Sequence, residues 1–144
     1  MMKDRVDYAL GLRAQSYNCA QVVIAALAEE LGISEEAAFG FAAGFGGGLR
    51  VGDVCGAASG AVMAIGLRYG QIYPNDTAAK GQCGLLTGQF MSEFTRRMGG
   101  HCCRELLGGD QHDPALADEM SARKQKVCPL AIRTALEILA EMGI

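Results

Sequence analysis

The chain has 144 residues, half of them hydrophobic and a fifth charged, and its formal net charge is −3. This is about one domain's worth of chain with enough apolar matter to build a core, and it excludes intrinsic disorder, which needs low hydrophobicity and high net charge. No excess of positive charge is available to neutralise phosphates, so nucleic acid is not an expected partner.

The chain opens Met1-Met2-Lys3-Asp4-Arg5-Val6-Asp7, with four charges in seven residues and no apolar run behind them, so no secretory signal is expected. Asn18 is placed to cap a helix that runs to about Leu31, on which Cys19, Val23, Leu27 and Leu31 repeat every four residues. Ser34, followed by Glu35 and Glu36, reads as the cap and acidic first turn of a helix ending near Gly44. A glycine-rich loop from Gly46 to Asp53 leads to Cys55, where a helix of small residues begins and runs to about Tyr69. Gly56, Gly60 and Ala64 form a smooth strip on it, suited to close helix packing.

Pro74-Asn75-Asp76 marks a turn and cap. The helix after it carries Cys83, Leu86, Phe90, Met91, Phe94 and Met98 on one stripe, and Gly99-Gly100 stops it. Cys102 to Leu107 is a short turn or helix closed by Gly108-Gly109. Asp113-Pro114 supplies a cap with proline in the first turn of a polar helix to about Lys126. Cys128-Pro129 repeats that arrangement for a last helix, with Ile132, Ala135, Leu139 and Met142 inward and Arg133, Glu137 and Glu141 toward water. No stretch alternates with period two. The expectation is an all-α, single-domain bundle of about six or seven helices spanning residues 1–144. The longest apolar stretches, Cys19 to Ala28 and Ala57 to Leu67, are shorter than the ~18 residues of a membrane span, so no membrane insertion is expected and a cytoplasmic location is.

Two counts are unusual: 20 glycines, about double the common ~7%, and six cysteines. In a reducing compartment several cysteines point to metal binding or redox chemistry before a structural disulfide framework. Cys19, Cys55, Cys103 and Cys128 all fall at or beside predicted helix starts. There the unpaired N–H groups and the positive end of the helix dipole favour thiolate, with Arg104, Lys124 and Lys126 near enough in sequence to assist. No CxxC pair exists, so neither a zinc knuckle nor a thioredoxin-type motif is present, and any shared site must be assembled by the fold. Cys102-Cys103 is the only local dithiol.

Cys55-Gly56-Ala57-Ala58-Ser59-Gly60 has the form C-G-A-x-x-G. With Asn18-Cys19-Ala20-Gln21 upstream, and Cys103-Arg104-Glu105-Leu106-Leu107-Gly108 and Cys128 downstream, it resembles the C_GCAxxG_C_C family, small bacterial and archaeal redox-active proteins of about this length. The resemblance runs from about residue 10 to residue 140. It implies that Cys19, Cys55, Cys103 and Cys128 are the family's four defining cysteines, as a catalytic or metal-binding set, and leaves Cys83 and Cys102 outside. It also implies an association with transporters, and a related domain in split-Soret cytochromes is associated with an iron–sulfur cluster. No CxxCH is present, so no haem is expected.

Cys83, on a stripe with Phe90 and Phe94, reads as packing, since a free cysteine often behaves as a small hydrophobe. Cys102 is either a core residue or a resolving partner for Cys103. The glycine loop with Arg50 can cradle an anion on its N–H groups, yet it matches neither GxGxxG nor the P-loop, and close backbone approach explains it more simply. His101 and His112 read as ordinary loop or helix-start residues, and Glu29, Glu30, Glu35 and Glu36 as a solvated face and a capping turn.

Two function classes follow. In one the four cysteines converge for thiol–disulfide exchange or electron transfer, or hold an iron–sulfur cluster or zinc. In the other the chain is a helical partner module for a redox or transport protein, its cysteines sensing redox state or metal. A homodimer is the expected assembly.

Overall fold

The computed structural model describes residues 2–144. Among them are seven α-helices and no strand: α1 (Met2–Arg13), α2 (Cys19–Leu31), α3 (Glu35–Ala42), α4 (Gly56–Tyr69), α5 (Thr77–Met98), α6 (Cys103–Leu107) and α7 (Ala117–Glu141). The caps are largely those that the sequence dictates. Gln21 N–H donates to Asn18 Oδ1 at 2.9 Å, while Asn18 N–H donates to Gln21 Oε1 at the same distance, a reciprocal capping box at the start of α2. Ser34 caps α3, Asp76 caps α5, and Gly32 and Gly99 end α2 and α5 in the left-handed conformation.

Helix α2 is central and packs against α1, α3, α4 and α7. Val22, Val23, Ile24 and Leu27 on it, Ile65 on α4, Phe90 and Phe94 on α5, and Ile132, Leu136 and Leu139 on α7 are fully buried together. The small-residue strip of α4 faces α2. A Cβ added at Gly60 would lie 2.8 Å from Ala20 O, and one at Gly56 would lie 3.1 Å from Ala20 N. Glycine here permits a backbone-to-backbone approach that no side chain allows. Cys83 packs at the edge of the core with Leu86, Met91 and Met98, consistent with its place on the stripe.

Two elements differ from the sequence reading. Helix α1 was not anticipated, because its apolar inward positions are only Val6, Ala9, Leu10 and Leu12 in a segment otherwise polar. The second difference is in α7, which does not break at Cys128-Pro129 but runs unbroken from Ala117 to Glu141 with Pro129 inside it. Proline in a helix interior costs about 3 kcal/mol through its missing N–H and ring clash. Burying Ile132, Leu136, Ile138 and Leu139, each worth roughly 1.5–3 kcal/mol, outweighs that cost. Cys128 is therefore mid-helix, without the helix-start environment expected for it.

The glycine-rich loop is a left-handed turn. Gly47, Gly48, Leu49 and Arg50 have φ of 63°, 60°, 58° and 66°, and Gly52 follows at 77°. Leu49 and Arg50 pay a strain of roughly 1–2 kcal/mol each in that region. Side chains from beyond α5 hold the turn: Arg104 donates to Val51 O at 2.8 Å, Gln111 donates to Gly47 O at 2.8 Å, and a ring nitrogen of His112 lies 2.7 Å from Arg50 O.

No helix among the described residues is long and apolar enough to cross a membrane.

Candidate functional site

All six cysteines are free thiols. The four motif cysteines face one cavity of about 370 Å³, which Arg13, Asn18, Gly46, Arg50 and Lys124 also line. They meet there as two pairs. Cys19 is paired with Cys128 and Cys55 with Cys103, each thiol being the largest influence on its partner's acidity.

Each pair is set by backbone geometry. Cys19 is the first residue of α2, fixed by the Asn18 cap, whose Nδ2 also donates to Ala43 O at 3.0 Å. Cys128 reaches it from the middle of α7. For the other pair, an isolated antiparallel bridge joins Val54 to Cys102. Cys55 N–H donates to His101 O at 2.7 Å and Cys103 N–H to Asp53 O at 2.8 Å, so the two cysteines leave the bridge side by side. Cys19 and Cys55 thus belong to the tightly packed α2–α4 layer, whereas Cys103 and Cys128 belong to α6 and α7. Each pair joins the α2–α4 unit to a second segment, Cys19 to α7 and Cys55 to α6.

Within each pair the acidities are pushed apart. The Cys128 thiol is pushed down to about 6, first by the hydrogen bond that Cys19 donates to it, against the cost of burial, and then by the Arg13 guanidinium and Lys124. Cys19 moves well above the usual thiol range because its proton is held in that bond, in a buried setting beside the negative charge of Cys128. Cys103 is lowered by the Cys55 thiol, by the Gly56 N–H at the α4 N-terminus and by Lys124, with burial and the Cys128 charge opposing. Cys55, only 4% exposed, is raised well above its ordinary value by its bond to Cys103 and by burial, although the Ala57 and Ala58 N–H groups pull the other way. The helix-start effect expected for Cys55 is thus received in part by its partner: the first amide of α4 serves Cys103.

Cations act on these thiols differently from the sequence expectation. Lys124 does lower Cys103 and Cys128, since α7 is continuous and places Lys124 one turn before Cys128 on the same face. Arg104 instead holds the glycine turn. Arg13, the last residue of α1, was missed: it hydrogen-bonds toward Cys128 and donates to Lys124 O at 3.2 Å.

Cys102 is not a partner of Cys103. Its backbone is extended (φ −97°, ψ 143°), so adjacent side chains diverge, and its thiol is raised first by burial and then by Glu105 beside it. Among the described residues, His101, Cys102 and Glu105 are the one group of three whose potential ligand atoms all lie within 4.8 Å of one another. Glu105 there completes the α6 capping box, accepting from Cys102 N at 3.1 Å. No three of the motif sulfurs are gathered at that spacing. A single tetrahedral zinc, with Zn–S about 2.3 Å and sulfurs therefore roughly 3.8 Å apart, does not fit the four thiols as they stand.

A family model described as "Putative redox-active protein (C_GCAxxG_C_C)" matches residues 17–142, which contain every cysteine. No curated protein and no solved structure matches the chain significantly.

Proposed function

The chain belongs to the C_GCAxxG_C_C family, described as redox-active, and from the pairing of its thiols we propose that it is a thiol–disulfide redox protein working through Cys19–Cys128 and Cys55–Cys103. One observation carries the reading: each pair couples a thiol held toward thiolate with a buried thiol that keeps its proton, and both pairs open on one cavity. Thiolate is the attacking species in disulfide exchange, and the best attacking thiol titrates near ambient pH.

The Cys128 thiolate attacks one sulfur of a substrate disulfide R–S–S–R. That S–S bond breaks, the first R–S⁻ leaves and takes a proton from water, and a Cys128–S–S–R mixed disulfide remains. Cys19 then loses its proton to solvent and attacks Cys128 Sγ, expelling the second R–S⁻. The protein has lost two electrons and gained the Cys19–Cys128 disulfide, and the substrate has gained two electrons and become two thiols. Cys103 and Cys55 are placed to follow the same course.

The same donor set supports a second reading. Four thiols arranged two and two around one cavity match the Cys₄ ligation of an iron–sulfur cluster. Cys19, Cys128, Cys55 and Cys103 would hold it, and it would supply one-electron transfer.

Protein purified without oxygen decides between them. The disulfide reading expects colourless protein, six thiols in the reduced state of which mild oxidation removes four, and peptides then linked as 19–128 and 55–103. Visible absorption with stoichiometric iron and sulfide, lost in Cys55→Ser, would replace it with the cluster reading. Thiols that never pair, in protein free of metal, would refute both.

A further inference from the structure

Apart from its thiolates, the cavity that joins the two thiol pairs is lined by charged side chains of one sign. Arg13, Arg50 and Lys124 line it and no aspartate or glutamate does, although the chain as a whole carries 16 acidic residues against 13 basic ones. None of the three cations takes part in a salt bridge among the described residues. Arg13 is committed to Cys128, and Lys124 serves two thiols. Arg50 is different. It is exposed, lies outside the thiol contacts, and sits on the strained left-handed turn that Arg104, Gln111 and His112 hold in place. An arginine fixed at such backbone cost over a cavity without carboxylates is poised for a negative charge that arrives from outside. The volume of about 370 Å³ lies in the range of small-molecule pockets and is too small for a folded partner to enter.

We propose, resting on the thiol–disulfide reading above, that the substrate is a low-molecular-weight disulfide bearing carboxylates, drawn in and oriented by Arg50 and Lys124. The disulfide is the oxidant. It accepts two electrons and leaves as two carboxylate thiols, while the Cys128 thiolate and Cys19, which gives its proton to solvent, join in a disulfide. Cations converging on a low-dielectric cleft raise the local concentration of an anionic reactant and its rate of encounter.

Three near-isosteric disulfides test this on the intact reduced protein: 3,3′-dithiodipropionate with two negative charges, hydroxyethyl disulfide with none, and cystamine with two positive charges. Each rate of Cys19–Cys128 formation is divided by the rate of the same disulfide with mercaptoethanol, which removes intrinsic reactivity. The dianion should lead the neutral compound by at least about tenfold at low salt, with the dication slowest. That lead should shrink toward one near 1 M salt, where the screening length is about 3 Å. In Arg50→Gln the dianion-to-neutral ratio should fall several-fold. Equal normalised rates for all three disulfides, or a preference for cystamine, would overturn the substrate proposal while leaving the pair chemistry standing. If none of the three oxidises the protein, the thiol–disulfide reading and the substrate proposal fall together.

Discussion

Replacing Cys19 with Ala removes the donor that is the largest cause of the low Cys128 value. At pH 7 a thiol titrating at about 6 is about nine-tenths thiolate, whereas one at about 9 is about 1% thiolate, a loss of roughly 90-fold. Nucleophilicity grows with basicity, however, and over the same span a Brønsted slope of about 0.45 returns roughly 20-fold. The net fall in Cys128 alkylation at pH 7 is therefore only about fourfold, and smaller still because Arg13 and Lys124 stay in place. The midpoint, not the rate at one pH, is decisive. Iodoacetamide labelling from pH 4 to 10, with the peptide carrying Cys128 quantified by mass spectrometry, should move from a midpoint near 6 toward the ordinary thiol range. The two profiles should cross, the variant reacting faster at high pH. Cys19→Ser keeps a donor at the same place and should retain a midpoint closer to 6. A Cys19→Ala profile superimposable on that of the unaltered protein would refute the assignment of that value to the Cys19–Cys128 hydrogen bond.

Two further outcomes follow from the same geometry. Gly60→Ala puts a methyl group 2.8 Å from Ala20 O and should destabilise by about 1–3 kcal/mol in urea unfolding, whereas Gly66→Ala, also within α4 but with nothing within 4 Å, should stabilise by up to about 1 kcal/mol. If both glycines respond alike, the tight α2–α4 contact is not what Gly60 provides. Gly48→Ala meets a left-handed φ of 60° and a contact of 2.3 Å with Asp53 O, so the turn must shift and loosen the Asp53–Cys103 hydrogen bond. Peptide mapping after mild oxidation should then show the 55–103 link reduced several-fold with the 19–128 link kept, and equal loss of both would contradict separate positioning of the pairs.

How much of this was legible in the sequence depends on range. Caps are local: Asn18 with Gln21, Ser34 and Asp76 each identify a helix start from three or four neighbouring residues, and the glycine strip of α4 announces close packing. Proline is local too, and there it misled. Asp113-Pro114 and Cys128-Pro129 look alike as dipeptides, yet the first opens a turn and the second lies within a helix, because Ile132, Leu136 and Leu139 behind it belong to the same buried face as the rest of α7. That misreading hid the spacing of Lys124 and Cys128 on one face. The four motif cysteines could be named from their order, but not who meets whom, since the partners are brought together by an isolated two-residue bridge and by the crossing of α2 with α7. Arg13 was invisible because α1 itself was.

On the thiol–disulfide reading, the fact that each pair joins the α2–α4 unit to α6 or α7 ties oxidation to folding. Joining Cys19 to Cys128, or Cys55 to Cys103, closes a long loop in the unfolded chain, and such a link is worth about 4–5 kcal/mol in the chain-entropy account. By a closed thermodynamic cycle, whatever the link adds to stability the fold returns as resistance of the disulfide to reduction. Looser packing of α6 and α7 against the rest of the bundle would therefore make such a protein a stronger oxidant, and tighter packing a weaker one. Helix packing far from any sulfur becomes a setting of reduction potential.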